Sequence, residues 1–340
     1  MIATRHLAFD VGGANIKLAT KDGYSATQPF ALWKQPEKLA SELTRLVKAA
    51  PPCERIAATM TGELADCFAS KREGVHKIVD ALERASQDLS LSIYLTDGRF
   101  VDPATAKANS ELAAASNWHA LATYAADYAH VSDAILVDIG STTCDVIPIK
   151  DGVVVAKGVT DTQRLLNQEL IYAGIERTPL CALAPTLPYR NYECPVAREL
   201  FATTLDVFLL TGDIAERPDE FDTADGKPAT RDMAIARLGR MVCADKEEFN
   251  ERDAMAIADF LAFELSEMLG DAITSVSFRY GLGARPKIIL SGHGEFVLNR
   301  IWRDKSRIHR LSEAIGSDAA RVAPAFAVAC LADTLVGWTI

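Results

Sequence analysis

LAFDVGGANIKLATKDG (Leu7–Gly23) and ILVDIGSTTCDVIPIKDG (Ile135–Gly152) are two versions of one pattern. Each is an apolar run ending in Asp, a Gly-containing loop, a second β-rich run and a Lys-Asp-Gly turn. Asp10 matches Asp138 and Gly12 matches Gly140, and the second copy is one residue longer before its turn. A strand, a tight Gly loop and a returning strand make a hairpin whose tip presents backbone N–H groups, and an Asp beside the tip is placed to hold a metal. Two such hairpins facing across a cleft can grip a polyphosphate from both sides. On this reading Gly12, Gly13, Gly140 and Ser141 permit close backbone approach, Asn15 completes the first loop, and Thr142 and Thr143 add hydroxyl donors. Asp10 and Asp138 hold Mg²⁺, directly or through water. A lone Asp-x-Gly is an ordinary turn; the duplication and its flanking strands argue for phosphate and metal.

Working outward, Pro36–Ala50 has leucines at helical spacing after a Pro start, and Arg55–Met60 reads as a buried strand leading into Thr61-Gly62-Glu63. Glu73–Ala85 is a helix, Ser92–Leu95 a short strand and Ser110–Tyr128 one long Ala-rich helix that delivers the chain to the second hairpin. In the second half Val153–Ala156 adds a strand, Thr162–Tyr172 a helix stopping at Gly174, and Val196–Leu210 an amphipathic helix. Residues 178–195 hold four prolines and predict no regular structure, and Thr211–Lys227 reads as a loop or flap. Helices follow at Ala229–Val242 and Glu251–Tyr280. The strand Lys287–Leu290 runs into Ser-Gly-His-Gly-Glu and a helix at Phe296–Trp302, and a last helix covers Ala323–Val336. The expected division is 1–130 for a first domain and 131–322 for a second, with 323–340 packing back onto the first.

The composition bounds the chemistry. At 340 residues each of two domains can bury its own core. The net charge of −10 argues against nucleic-acid or anionic-membrane partners, which need a basic face. Seven scattered cysteines without a C-x-x-C pair predict reduced thiols and no structural zinc. The first strand begins almost at once, and stretches such as Ala254–Leu265 carry Asp259 and Glu264, so neither a signal peptide nor a membrane span is expected. The chain reads as cytoplasmic, and a homodimer stays open.

Three further groups are candidates. The Gly292-His293-Gly294-Glu295 loop, if it opens a helix, offers N–H groups and a positive dipole end to a phosphate or to a nucleotide's sugar; otherwise it is a tight turn. Glu63 and Asp66, three apart, share one face if a short helix follows the strand; either is then a general base or metal anchor, or both merely complement a helix dipole. Thr61 and Gly62 belong to the same substrate- or nucleotide-facing segment. Lys17 balances phosphate charge, or lies with Asp145 on a solvated face. Arg177 is a carboxylate-recognising guanidinium or a surface ion pair. Trp33, Trp118, Trp302 and Trp338 are dispersed and read as packing.

Two phosphate hairpins, a connecting helix and a late strand-Gly-x-Gly-helix together resemble the actin, sugar-kinase and heat-shock-chaperone superfamily of ATPases, across nearly the whole chain. That resemblance implies an α/β, two-domain actin-like ATPase fold, a duplicated ribonuclease-H-like unit with the ligand in the cleft between domains. It also implies ATP as a possible ligand, adenosine being held at the late glycine loop.

Phe9–Lys17, Met60–Phe68, Asp138–Asp145, Tyr172–Leu180 and Ser291–Glu295 give a narrower resemblance, to the hydantoinase/oxoprolinase-related family linked to tetrahydromethanopterin one-carbon transfer. It implies a transferase of methanofuran biosynthesis, joining a furanmethanol diphosphate to the phenol of a tyramine derivative with release of diphosphate. Arg177 is then the candidate for the γ-glutamyl carboxylate. The chain departs from the superfamily's kinases at Ala14, where those usually carry a hydroxyl residue. An ATP-dependent kinase, a hydantoinase-like hydrolase and a nucleotide sensor without turnover remain the competing expectations.

Overall fold

The computed structural model describes residues 4–129, 132–302 and 304–336. The first lobe opens with strands β1 (Thr4–Val11), β2 (Asn15–Ala19) and β3 (Ser25–Pro29), followed by helix α1 (Leu39–Ala49), β4 (Cys53–Met60) and α2 (Lys71–Ser86). It continues through β5 (Ser90–Tyr94), β6 (Phe100–Val101), α3 (Pro103–Ala108), α4 (Ser110–Ala113) and α5 (Asn117–Ala129). The strands form one sheet in the order β3-β2-β1-β4-β5-β6. Hairpins join β1, β2 and β3, whereas β4 and β5 add in parallel after helical crossovers.

The second lobe repeats this plan. Strands β7 (Ala134–Ile139), β8 (Cys144–Lys150) and β9 (Val153–Val154) precede helix α6 (Asp161–Leu166), β10 (Leu170–Ile171) and a separate hairpin of β11 (Thr186–Tyr189) and β12 (Tyr192–Pro195). Helices α7 (Thr204–Thr211), α8 (Arg231–Met241) and α9 (Glu251–Tyr280) follow, then β13 (Lys287–Ser291) and β14 (Ile308–Arg310). Three helices close the chain: α10 (Leu311–Ile315), α11 (Ser317–Arg321) and α12 (Ala323–Val336). The second sheet runs β10-β8-β7-β13-β14, with β9 also on β8. The hairpin β7–β8 with β13 added in parallel on β7 restates β1–β2 with β4 on β1. This is the duplicated, two-domain actin-like fold.

Strand parity decides which residues meet. Leu7, Phe9 and Val11 of β1 point to the outer core under α1 and α2, and Ile135, Val137 and Ile139 of β7 to the outer core under α7, α8 and α9. The alternate residues point inward, onto α5 and α12. Ala8 and Ala57 meet Ala120, Val328 and Ala329, while Leu136 and Ile147 meet Leu121, Ala122 and Ala327. Helices between two sheets must be apolar on both sides, and alanine lets both sheets come close. Asp10 and Asp138 have the inward parity on their strands, so each faces the layer between the lobes.

Several segments differ from their sequence-based expectation. The long helix expected at Ser110–Tyr128 is broken, with Ala115 at φ 47°. There Ser116 Oγ bonds both the Tyr94 carbonyl (2.9 Å) and Thr59 Oγ1 (2.7 Å), local demands a continuous helix could not meet. The helix expected over Thr162–Tyr172 ends at Leu166 because buried Glu169 accepts the N–H groups of Lys157 and Gly158, each at 2.9 Å. The proline-rich segment contains the β11–β12 hairpin, its turn made by Arg190 at φ 57°. The expected Val196–Leu210 helix begins only at Thr204, after the Thr203–Asp206 capping box, and runs one residue further, to Thr211. Phe296–Trp302 is a single 3₁₀ turn at Leu298–Arg300 rather than a helix. Residues 337–340 of the expected closing segment, including Trp338, lie outside the described residues. Among the described residues no helix is long and apolar enough to cross a membrane.

Candidate active site

Both hairpin tips are built alike. Gly12 N–H donates to the Asn15 carbonyl at 3.0 Å, and Gly140 N–H to that of Thr143 at 2.9 Å. The next carbonyls are turned back into protein. Those of Gly13 and Ala14 accept from Leu32 and Phe30, each at 2.9 Å; that of Ser141 accepts from Glu176 and Arg177, each at 3.0 Å. Among the described residues the N–H groups of Gly13, Ala14, Ser141 and Thr142 find no protein acceptor. Successive free N–H groups at a tight turn form an anion-binding concavity.

Asp10 is buried, and its Oδ1 has no hydrogen-bond partner. Loss of water raises its pKa against the opposing field of Lys17, its cross-strand neighbour. Burial pushes Asp138 up to about 6, its cross-strand neighbour Asp145 and Asp10 adding to the rise and Lys17 opposing it. Asp138 thus feels the Asp10 carboxylate, and both feel Lys17, so the two hairpin acids lie within reach of one lysine's field. An unpartnered buried carboxylate oxygen beside a second carboxylate suits a hard cation. Among the described residues no cluster of three or more His, Cys, Asp or Glu is placed to hold a metal alone. Mg²⁺ does not require one, because one or two carboxylates with substrate phosphates and waters suffice.

Lys17 and Asp145 do not lie on solvated faces, since both have the inward parity. Asp145 is buried and pairs with Arg164, which also bonds Asp161 at 3.4 Å and stacks on the Trp118 ring at 4.4 Å. The expected helix carrying Glu63 and Asp66 is absent: residues 61–70 are turns, and α2 begins only after the Ser70 cap. Glu63 is 1% exposed with Oε2 unpartnered, whereas Asp66 is exposed, so the two do not share a face. Burial pushes the Glu63 pKa up to about 7; Asp161 of the second lobe adds to this, while Lys71 and the Ala115 N–H lower it. Thr61 and Gly62 both donate to the Val11 carbonyl (2.9 and 3.0 Å), locking this segment onto the first hairpin.

The Gly-His-Gly loop owes its glycines to close approach. A Cβ on Gly292, at φ +88°, would lie 2.3 Å from the Ile139 carbonyl oxygen and 2.8 Å from Asp138 Oδ1; one on Gly294 would meet Ile139 Cγ2 at 2.4 Å. The half-exposed His293 ring lies 3.9 Å from Glu176, and lost hydration holds its pKa below the ordinary value, with Glu176 opposing and Lys17 and Arg217 reinforcing. Glu295 is engaged by Arg310 and by Ser312 (3.1 Å). Arg177 is exposed and forms an ion pair with exposed Asp222 at 3.0 Å. Sequence reasoning missed Arg164, Asp161 and Arg217. Only Asp145 carried a signal for this network: an acid stands where the first copy has Lys17.

Comparison with known proteins fits this geometry. Residues 54–334 match the family model described as Hydantoinase/oxoprolinase. A Methanocaldococcus jannaschii protein is 35% identical over 330 residues, covering 96% of each chain; it is named "(4-{4-[2-(gamma-L-glutamylamino)ethyl]phenoxymethyl}furan-2-yl)methanamine synthase". A Methanococcus vannielii protein of the same name is 34% identical over 202 residues, 58% of this chain and 89% of that protein. A nucleotide-free acetone carboxylase structure superposes with a TM-score of 0.55 at 12% identity, covering 96% of this chain and 70% of that one, a likeness of fold alone. From the extent of the family match and the near full-length identity to the jannaschii synthase, this chain is a member of the hydantoinase/oxoprolinase family.

Proposed function

We propose that the chain is a cytoplasmic transferase making the aryl ether of a methanofuran-type cofactor precursor: it couples a furanmethanol diphosphate to a tyramine-type phenol and releases diphosphate. One observation carries this reading. A chain 35% identical along 96% of its length to a synthase whose named product holds a phenoxymethyl-furan ether also has two hairpin tips whose N–H groups find no protein acceptor among the described residues.

In this reading the free N–H groups of Gly13, Ala14, Ser141 and Thr142, the hydroxyls of Thr142 and Thr143 and the Lys17 ammonium hold the diphosphate. Asp10 and Asp138 would hold Mg²⁺, and the bound ion supplies neutralisation of charge on the departing oxygens. The carbon–oxygen bond to diphosphate breaks, with its electron pair leaving on diphosphate and the furan sharing the positive charge left on the methylene carbon. The phenol oxygen forms the new bond to that carbon while Glu63 takes its proton. A carboxylate raised to about 7 suits that task, since a general base works best when its pKa lies near the working pH. The net charge of −10 supports small-molecule substrates over nucleic acid.

The test is incubation with Mg²⁺ and, separately, ATP or a furfuryl-type diphosphate plus tyramine, assaying ADP, phosphate, diphosphate and ether. Diphosphate and ether in equal amounts are expected. ADP or phosphate formed from ATP alone would replace this reading with a kinase or hydrolase.

A further inference from the structure

The segment between α7 and α8 reads from the sequence as a loop or flap, yet it is tied down. Arg217 N–H donates to the Ala229 carbonyl and Ala229 N–H to that of Glu220, each at 2.9 Å, joining its two arms. Asp225 accepts from fully buried Arg237 at 3.0 Å and from Arg240 at 3.1 Å, and Arg237 also holds Asp206 in the first turn of α7. So anchored, the segment grips two neighbouring residues. Arg217, braced by Glu220 at 2.8 Å, donates to Glu176 at 3.1 Å, and Asp222 accepts from Arg177 at 3.0 Å. Glu176 and Arg177 are the residues whose N–H groups hold the Ser141 carbonyl of the second tip. Packing there leaves no slack: a Cβ on Gly174 would lie 2.6 Å from both the Gly140 carbonyl oxygen and Thr142 N. Glu176 Oε1 also stands 3.9 Å from His293 Nε2, so one carboxylate joins the anchored segment, the tip's support and the Gly-His-Gly loop.

We propose that Arg217 is a positioning residue for the diphosphate grip: by fixing Glu176 it aims the Ser141–Thr142 tip and keeps His293 beside it. The link is geometric. The Ser141 carbonyl and the Thr142 N–H belong to one trans peptide plane, so drawing the first toward Glu176 and Arg177 turns the second away from them. That N–H has no protein acceptor among the described residues, and an aimed donor meets its anion without reorganising. The inference rests on the anion-binding part of the proposed function and adds a residue from outside both hairpins.

The experiment measures binding of inorganic diphosphate with Mg²⁺ by calorimetry, amide exchange by mass spectrometry, and KM for each substrate in the coupled assay. It compares wild type, Arg217→Met, Glu176→Ala, the double variant and Arg45→Met, a control in an exposed α1 ion pair. Arg217→Met is expected to weaken diphosphate binding and raise the diphosphate-substrate KM about fivefold, because its ion pair is only partly shielded from water. Exchange over residues 175–177 should quicken, with the phenol KM and the control unchanged. The double variant should bind no more weakly than Glu176→Ala alone, since both changes cut one link. Diphosphate binding left intact in Arg217→Met, whatever the exchange shows, would overturn the proposal, and so would additive losses in the double variant. A wild type that makes no ether, with diphosphate binding still weakened in Arg217→Met, would sink the transferase reading and leave the positioning role standing.

Discussion

The two hairpins share a skeleton and differ in chemistry. Each carries an Asp of inward parity, closes its tip with a Gly N–H to a carbonyl three residues on, and has its tip carbonyls held by a flanking segment, 30–32 in one lobe and 175–177 in the other. The differences lie in the side chains. Opposite Asp10 stands Lys17; opposite Asp138 stands Asp145, its charge taken up by Arg164. The first tip is Gly13-Ala14, the second Ser141-Thr142. Turn geometry has been kept and electrostatics divided, so that one hairpin brings a cation with no ion pair among the described residues and the other brings hydroxyls and a neutralised acid. In the proposed function a symmetric clamp would meet both ends of a diphosphate alike, whereas these unlike tips would tell them apart.

The sharpest way to break the comparison is to remove the shared carboxylates one at a time. Asp10→Asn and Asp138→Asn are each expected to lower turnover on the order of a thousandfold, the loss of roughly 4 kcal/mol of transition-state stabilisation. Melting temperatures should hold or rise, because both carboxylates have pKa values raised by burial and an amide escapes that penalty. If either variant kept a tenth of wild-type turnover, that hairpin would be scaffold only.

Glu63 comes next and belongs to neither hairpin, although the first supports it through Thr61 and Gly62. Glu63→Gln is expected to lower kcat on the order of a hundredfold and to abolish a rising limb of kcat/KM near pH 7. Stability moves the opposite way. The folded pKa, about 7, lies above the ordinary 4.5, so the native state binds this proton more tightly than the unfolded chain does. Wild-type stability therefore falls as pH climbs from about 4.5 through 7, by about 1–3 kcal/mol in all. Melts at pH 8 should find Glu63→Gln the more stable protein, and melts at pH 4.5 should find no difference.

The hairpins, β4, β13 and α9 were legible because each is a long apolar run or periodic segment bounded by glycine or a cap. Glu251–Tyr280 begins at its Asn250 capping box and ends at Gly281, as local rules require. The failures occurred where a distant residue overrules local preference. Nothing near Ser110–Tyr128 announces that Ser116 must bond Thr59 and Tyr94, and nothing near Thr162 announces that Glu169 will be buried with Tyr280. In the candidate site the carboxylates and glycines could be read from the duplication. Arg164 and Asp161 could not, because their partners lie on other strands or in the other lobe. Gly292 and Gly294 were legible as a motif, but for a different reason: they permit contact with Asp138 and Ile139 and start no helix.

The gentlest probe addresses the cation that stands opposite Asp10 and has no counterpart opposite Asp138. Lys17 is half-exposed, makes no ion pair among the described residues, and acts through its field on Asp10, Asp138 and His293. A charge in that setting is partly screened, so Lys17→Met should raise the KM for the diphosphate substrate about tenfold and leave the phenol KM unchanged. In about 0.5 M salt the gap between variant and wild type should shrink, because screening already weakens the native lysine there. The mirror position offers no equivalent test: Asp145 is locked to buried Arg164, and removing it would strand a guanidinium inside the protein. A salt-insensitive defect in Lys17→Met would mean that the ammonium acts by short contact rather than through its field. The first hairpin would then bind phosphate by the same direct hydrogen bonding as the second.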